Sequence, residues 1–333
     1  MSPPSARAPS LVERARHAFL GPPLLESISW PRTVERAFFD AGCERLPEPQ
    51  YRIDADVVGQ RLARLDALDA ELVGDDALVR FLKLRSASHR LGAELLLAVG
   101  TPRFGELSVL AYGGARSSFL DRDTTNLDFA EQLAARLGRG EPSDEETGKL
   151  DAEGLIANLR ERLTKRRNPP DIELILDDEL GAKAIAGKTR VRIRSDATFD
   201  PEEARSLYLH EIETHVFTAQ NGALQPVLDF MGTGGPRSTR TQEGLAVFSA
   251  LYAQALTSGR LRRLVTRVRL VGMAEAGASF IDAYRWLVDQ GLPDRQAFTD
   301  VARTFTSTSS AAGAGISTSS SRSDSGGPYR LQT

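Results

Sequence analysis

Two of the chain's four histidines stand in one short stretch, "LYLHEIETHVFTAQ" (residues 207–220), at His210 and His215, with Glu211 directly after the first. Imidazole nitrogen and carboxylate oxygen are donors that zinc favours, and a catalytic zinc site keeps one position open for water. The stretch is close to H-E-x-x-H, whose histidines, four apart, share one helix face. Here they are five apart, about 140° around a regular helix axis. A π-bulge would turn both side chains back to one face, and such bulges are frequent at functional sites. Alternatively Glu211 and His215, four apart, are the ligands and His210 is not. The first arrangement leaves Glu211 free to act as a base. The plainer reading is two ordinary helix residues.

A further carboxylate bears on the choice. "TQEGLAVF" puts Glu243 near the start of the next helix, 28 residues after His215. A helix crossing the first could present it to the same ion, and Gly244 beside it would let the two helices approach closely. By itself a helical glutamate is a surface charge.

These residues need elements to hold them. "DPEEARSLYLHEIETHVFTAQNG" reads as a helix, with Asp200 as N-cap, Pro201 in the first turn, acids at 202 and 203 and Gly222 at its end. "GTGGPRSTR" reads as a glycine-rich loop. The next helix is "TQEGLAVFSALYAQAL", with a capping box from Thr239 to Gln242. Upstream, "DIELILDD" and "TRVRIRSD" alternate like strands or hairpin arms, joined by "ELGAKAIAGK". In the second, Lys188, Arg190, Arg192 and Arg194 alternate with Thr189, Val191 and Ile193. That suits a solvated edge strand blocking aggregation, or a cationic rim beside a site. Before residue 168 the chain is helical. Val57, Val58, Leu62, Leu65 and Leu68 keep helical spacing, Thr125 and Gly138 cap another helix, and Asn168-Pro169-Pro170 breaks the last. Residues 141–153 form a charged connector, and two or three helices follow the site to Phe305.

Composition narrows the class. With 41% hydrophobic and 26% charged residues over 333 positions, a core of ordinary size can form. The net charge of −3 speaks against a general nucleic-acid binder. The lone cysteine, Cys43, excludes an intrachain disulfide and fits a reducing compartment. No apolar run reaches the ~18 residues of a membrane span, and the N-terminus lacks a secretory pattern, so a cytoplasmic location with no membrane partner is expected. Residues 1–20 are expected to be a flexible tail. Residues 21–305 would be one domain: a helical part (21–168), strands and metal site (171–257) and C-terminal helices (258–305). Residues 306–333, rich in Ser and Thr, would be disordered.

"HEIETH" followed by "GTGGPRSTRTQEGLAV" resembles the QEGLA-motif family, whose bacterial members are often labelled flavohaemoglobin expression-modulating proteins. That family is similar to the microtubule-associated tyrosine carboxypeptidases, zinc enzymes with an H-E-x-x-x-H motif and a downstream glutamate, which remove the C-terminal tyrosine of α-tubulin. The likeness extends from about residue 30 to about 305, through "LAYGGARSSFLDRDTTNLDFAEQL" and "AGASFIDAYRWLVDQGLPDRQAF". It implies an α+β, mostly helical fold with a zincin-like, gluzincin-type core and a small sheet beside the active-site helix. It further implies one Zn²⁺ held by His210, His215 and Glu243, with Glu211 as catalytic base. The activity would be removal of a C-terminal residue from a peptide or protein.

Such chemistry needs a partner for the oxyanion, for which Tyr208 and Arg240 are candidates by proximity in sequence. It also needs a cation for the terminal carboxylate, for which Arg190, Arg192 and Arg237 are candidates. Asp200 and Asp229 are the nearest acids that could support the imidazoles. The chain departs from the family in its last segment, where a Ser/Thr-rich tail replaces an arginine- and glycine-containing segment and further helices. A shifted reading frame or a truncated gene would produce that, leaving an inactive member. The other alternative is a regulator that keeps zinc for stability and binds a partner.

Overall fold

The computed structural model describes residues 7–49, 51, 53–120, 123–138 and 149–308. The helices before the sheet are α1 (Arg7–Phe19), α2 (Leu24–Ile28), α3 (Arg32–Asp40), α4 (Ala55–Glu71), α5 (Ala77–Ala98), α6 (Pro102–Tyr112), α7 (Asn126–Leu137) and α8 (Ala152–Thr164). Strands β1 (Glu173–Asp177), β2 (Ala184–Ala186) and β3 (Arg190–Arg194) follow. Then come α9 (Pro201–Leu207), a π-helical segment (Tyr208–Val216) and α10 (Phe217–Ala223), followed by a 3₁₀ turn (Asp229–Gly232). The chain continues as α11 (Pro236–Tyr252), α12 (Ser258–Glu275), α13 (Phe280–Asp289) and α14 (Asp294–Thr308). The class is thus α+β and mostly helical, with one small sheet. No helix among the described residues is long and apolar enough to cross a membrane.

Local chemistry sets many boundaries. Side chains of Asp54, Asp76, Asp151, Asp200 and Thr257 accept from first-turn N–H groups and start α4, α5, α8, α9 and α12. Thr125 and Asp128 form the capping box of α7, which ends at Gly138 with φ +61°.

β1 and β3 pair in parallel, with Leu174 opposite Val191, while β2 pairs antiparallel with β3, Ile185 opposite Arg192. The order β1-β3-β2 makes β3 the central strand, not an edge. Its hairpin partner β2 lies inside the segment read as a connector, and is only three residues long. The alternation of β3 holds: Val191 and Ile193 are fully buried, and the basic residues take the other face.

That apolar face is the floor of the site. Val191 and Ile193 pack with Leu155 and Leu159 of α8 and with Ile212 and Val216 of the π segment, all fully buried. Each such side chain contributes roughly 1.5–3 kcal/mol over its exposed state, so the site helix is fixed from beneath. Gly222 permits a second close approach. A Cβ there would lie 2.5 Å from the backbone of Met231 and Gly232, in the turn that leads towards α11.

Several expectations need correction. Over the described part of 1–20 the chain is helix α1, with Leu11, Val12, Ala15, Ala18 and Phe19 buried against α4 and α5. Their spacing is helical, and the neighbouring prolines and charges masked it. Helix α11 begins at Pro236, inside the expected loop, where Ser238 Oγ accepts from Gly235 N at 2.9 Å. Gly244 is exposed, and a Cβ on it would meet nothing within 4 Å, so it is not where helices approach. Of the charged connector, residues 141–148 lie outside the described residues, as does the Ser/Thr-rich segment from 309.

Candidate metal centre

Around Tyr208 the α-helical bonding gives way to the wider π turn. Phe217 N donates to Ile212 O, five residues back, and Thr214 Oγ1 donates to Leu209 O at 3.0 Å, also five back. Tyr208, Ile212 and Val216 face the core, while His210, Glu211 and His215 turn away from it. The wide turn therefore offsets the five-residue spacing. The imidazole centroids are 4.9 Å apart with the rings inclined at 62°.

Helix α11 crosses this turn and brings Glu243. His210 Nε2 lies 3.3 Å from one of its carboxylate oxygens and His215 Nε2 lies 3.3 Å from the other. The three donor groups lie within 4.8 Å of one another. Ligands bound tetrahedrally at ~2.0–2.1 Å stand about 3.4 Å apart, so this donor set has the size a zinc ion requires. The placement of α11 comes from α5. Arg237 N donates to Ser88 Oγ at 3.1 Å, Arg85 Nη2 donates to Thr233 O at 2.6 Å, and Gly92 admits the ring of Pro236.

The two imidazoles differ in their second partners. His215 Nδ1 meets Gln242 Oε1 at 3.0 Å, and an amide oxygen can only accept, which sets Nδ1 as an N–H and leaves Nε2 as the nitrogen that faces Glu243. His210 Nδ1 instead receives Arg260 Nη2 at 3.3 Å. Burial lowers the pKa of His215, but hydrogen bonds to Glu243 and Gln242 and the charges of Glu211 and Glu243 outweigh it and raise it to about 9. Burial alone would raise the pKa of Glu243; the two histidines hold it far below the ordinary carboxylate range. A bound cation would take the place of the shared proton.

Glu211 points to the same cleft. Burial pushes its pKa up, against the charges of His210 and His215; the charge of Glu243 adds to the rise, and Ala186 N, donating to Oε2 at 3.2 Å, opposes it. Strand β2 thus anchors the carboxylate. The cleft, about 480 Å³, opens over His210, Glu211 and Glu243. One wall is α12, which presents Arg260, Arg263 and Arg267 on one face, with Arg303 of α14 nearby. Burial and then the charges of Arg267 and Arg263 lower the pKa of Arg260.

The model of the microtubule-associated tyrosine carboxypeptidase family matches residues 36–316. The chain belongs to that family. No curated protein and no solved structure matches it. The family's description names a carboxypeptidase, and the match spans the π turn, α11, α12 and α14.

For the carboxypeptidase chemistry that description names, the structure brings together His210, Glu211, His215 and Glu243 and leaves the other candidates apart. Arg190, Arg237 and Arg240 are exposed and do not line the cleft. Arg192 is held by Asp177, Nε to Oδ2 at 2.7 Å. Tyr208 is buried on the core side of the site helix, with Arg162 5.7 Å from its ring. Of the basic strand, Arg194 lines the cleft, together with Lys183 from the segment before β2. Asp229 pairs with Arg16 at 2.9 Å, and Asp200 caps α9, so neither orients an imidazole.

Three features escaped the sequence reading. Gln242 reads as the capping-box partner of Thr239, but α11 starts earlier, at Pro236, and the Gln242 side chain meets His215. Arg260, Arg263 and Arg267 share a helix face by spacing, a pattern that equally describes a solvated surface. Tyr112, at the end of α6, has its pKa pushed up to about 12 by burial and then by the charge of Glu243.

Proposed function

We propose that the protein is a zinc-dependent metallocarboxypeptidase with a zincin-like, gluzincin-type core, acting in the cytoplasm on the C-terminus of a peptide or protein. One observation carries this reading: two imidazoles of one helical turn and a glutamate of the next helix converge, with Glu211 beside them in an open cleft. His210, His215 and Glu243 would hold the ion. Its contribution when bound is Lewis acidity, which polarises a carbonyl and lowers the pKa of a water to roughly 7.

The remaining work falls to side chains. Glu211, with its raised pKa, is suited to take a proton from water and return it to the leaving amine. The guanidinium wall of α12 is suited to grip a terminal carboxylate, which Arg binds through paired hydrogen bonds. That geometry favours an enzyme cutting at a chain end, in keeping with the family's description.

The exposed apolar residues of α11, Leu245, Phe248 and Tyr252, favour a second reading, a zinc-stabilised binding protein. Glu211→Gln separates the two. The enzyme reading expects zinc to remain at one equivalent while release of a C-terminal residue from a peptide library falls by about 10²–10⁴-fold. Unchanged cleavage, or none in the wild-type protein loaded with zinc, would overturn it.

A further inference from the structure

His210 and His215 are prepared differently for a metal, and the difference lies in what faces Nδ1. A neutral imidazole carries one N–H and one lone pair. At His215 the Gln242 oxygen accepts from Nδ1–H, so Nε2 is the nitrogen aimed at the centre, and a cation that displaces its proton meets the tautomer it needs. At His210 the guanidinium of Arg260 occupies the Nδ1 side, at 3.3 Å, and Arg carries only donors. That contact places the lone pair on Nδ1 and the proton on Nε2, pointing at Glu243 Oε2, 3.3 Å away. Ligation of a cation through His210 Nε2 requires the opposite tautomer, in which Nδ1–H would face a guanidinium that cannot accept.

We propose that Arg260 is a positioning residue set against the metal: its hydrogen bond to His210 and cation binding at His210 Nε2 exclude one another, so binding displaces the guanidinium into the cleft. The inference rests on the metal-centre reading above. The geometry makes the displacement feasible. Arg260 stands in the first turn of α12, one helical turn before Arg263, and lines the cleft. Its other hydrogen bond goes to the hydroxyl of Ser206, a group that can donate or accept and so does not depend on Arg260. Once off His210, the guanidinium joins Arg263 and Arg267, where an incoming carboxylate would meet it. Metal occupancy and the strength of the anion-binding wall are then coupled through one side chain. Gln242 and Arg260 act in opposite directions on two ligands of one ion: the first presets its histidine, the second holds its histidine in the wrong tautomer.

The test measures zinc affinity of the full-length protein by competition with a chromophoric chelator, with cobalt absorption as a readout of coordination. Arg260→Met removes the donor, and zinc should bind about 10-fold tighter, the lower end of what outer-shell partners of zinc ligands control. Arg260→Gln supplies an oxygen that can accept from Nδ1–H and should bind at least as tightly as Arg260→Met. Arg267→Met removes the same charge about two turns further along α12, without touching His210, and should shift affinity by no more than about twofold, since a more distant charge is screened. A gain in affinity is not what damage to the fold produces. Wild-type protein that takes up one zinc, with Arg260→Met equal to it or weaker, overturns the proposal while leaving the metal centre standing. Equal gains in Arg260→Met and Arg267→Met overturn it too, since net charge alone would then be responsible. Wild-type protein that takes up no zinc overturns the metal centre and this proposal together.

Discussion

His89 on α5 and His215 on the π turn are both helix histidines withdrawn from water, and their surroundings drive them to opposite states. His89 is fully buried, its ring stacked on Phe19 with centroids 4.5 Å apart, and Arg61 Nη2 sits 2.8 Å from Nδ1. Burial, then the charges of Arg85 and Arg61, push its pKa down to about 3. His215 is only partly buried, between Gln242 and Glu243, and its pKa rises to about 9. Burial lowers the pKa in both cases; the sign of the neighbouring charge decides the outcome. An imidazole among arginines is a neutral packing element. An imidazole among carboxylates is a place for a cation. The same contrast explains the architecture, because the His89 region clamps the start of α11 through Arg85 and Ser88, and α11 carries Glu243.

The largest effect expected from this contrast is at the metal. His215→Ala should weaken zinc binding by at least ~100-fold, one ligand's share of the roughly 10–16 kcal/mol that zinc sites supply. His89→Ala should leave zinc at one equivalent. Metal analysis after dialysis against a weak chelator checks both. If His89→Ala sheds its zinc under conditions where circular dichroism shows it folded, the division of roles between the two histidines breaks.

The next effect is on stability. His89→Ala removes a stacked, fully buried ring and takes from Arg61 Nη2 one of its two acceptors, the other being Phe19 O at 3.1 Å, so urea unfolding should show a loss of about 2–4 kcal/mol. The pH dependence sharpens the point. With a folded pKa of about 3 against about 6.5 unfolded, the unfolded chain binds the extra proton between those values. Stability therefore falls as pH is lowered through that window, with a slope of at most ~1.4 kcal/mol per pH unit from this group, and is unaffected by it above the window. Urea titrations from pH 7 to pH 4 should show a shallower decline in His89→Gln than in wild type. Equal slopes would mean that His89 is not held neutral.

The sequence made one of these histidine regions far more legible than the other. The site announced itself because His210, Glu211 and His215 are close in the chain and chemically distinctive, and because a five-residue spacing poses a geometric question that a π turn answers. Glu243 could be linked to them through the motif that carries it. Gln242 and Arg260 could not, because their role depends on which imidazole nitrogen they face, and spacing does not encode that. His89 passed without notice, since a histidine in a helix with no nearby partner in sequence has no chemical signature. The arginines that hold it neutral come from α4 and from the preceding turn of α5. The sheet was half legible. The alternation of β3 is plain in "RVRIR", but its central position rests on β2, whose "AIA" is too short and too small to show a period.

The smallest expected effect falls at Gly244, beside Glu243. Glycine inside a helix costs roughly 0.5–1 kcal/mol relative to alanine, through backbone entropy lost on folding. Where the backbone has a tight contact that cost has a purpose, as at Gly222, whose Cβ would strike the turn at Met231. At Gly244 a Cβ would meet nothing within 4 Å, and the residue is exposed on α11. Gly244→Ala should therefore stabilise the protein by about 0.5–1 kcal/mol in urea unfolding and leave zinc affinity unchanged. If it instead slows peptide cleavage at full zinc occupancy, something from outside the chain must lie against that bare backbone during turnover. The substrate's own main chain, entering over Glu243, would be the first to examine.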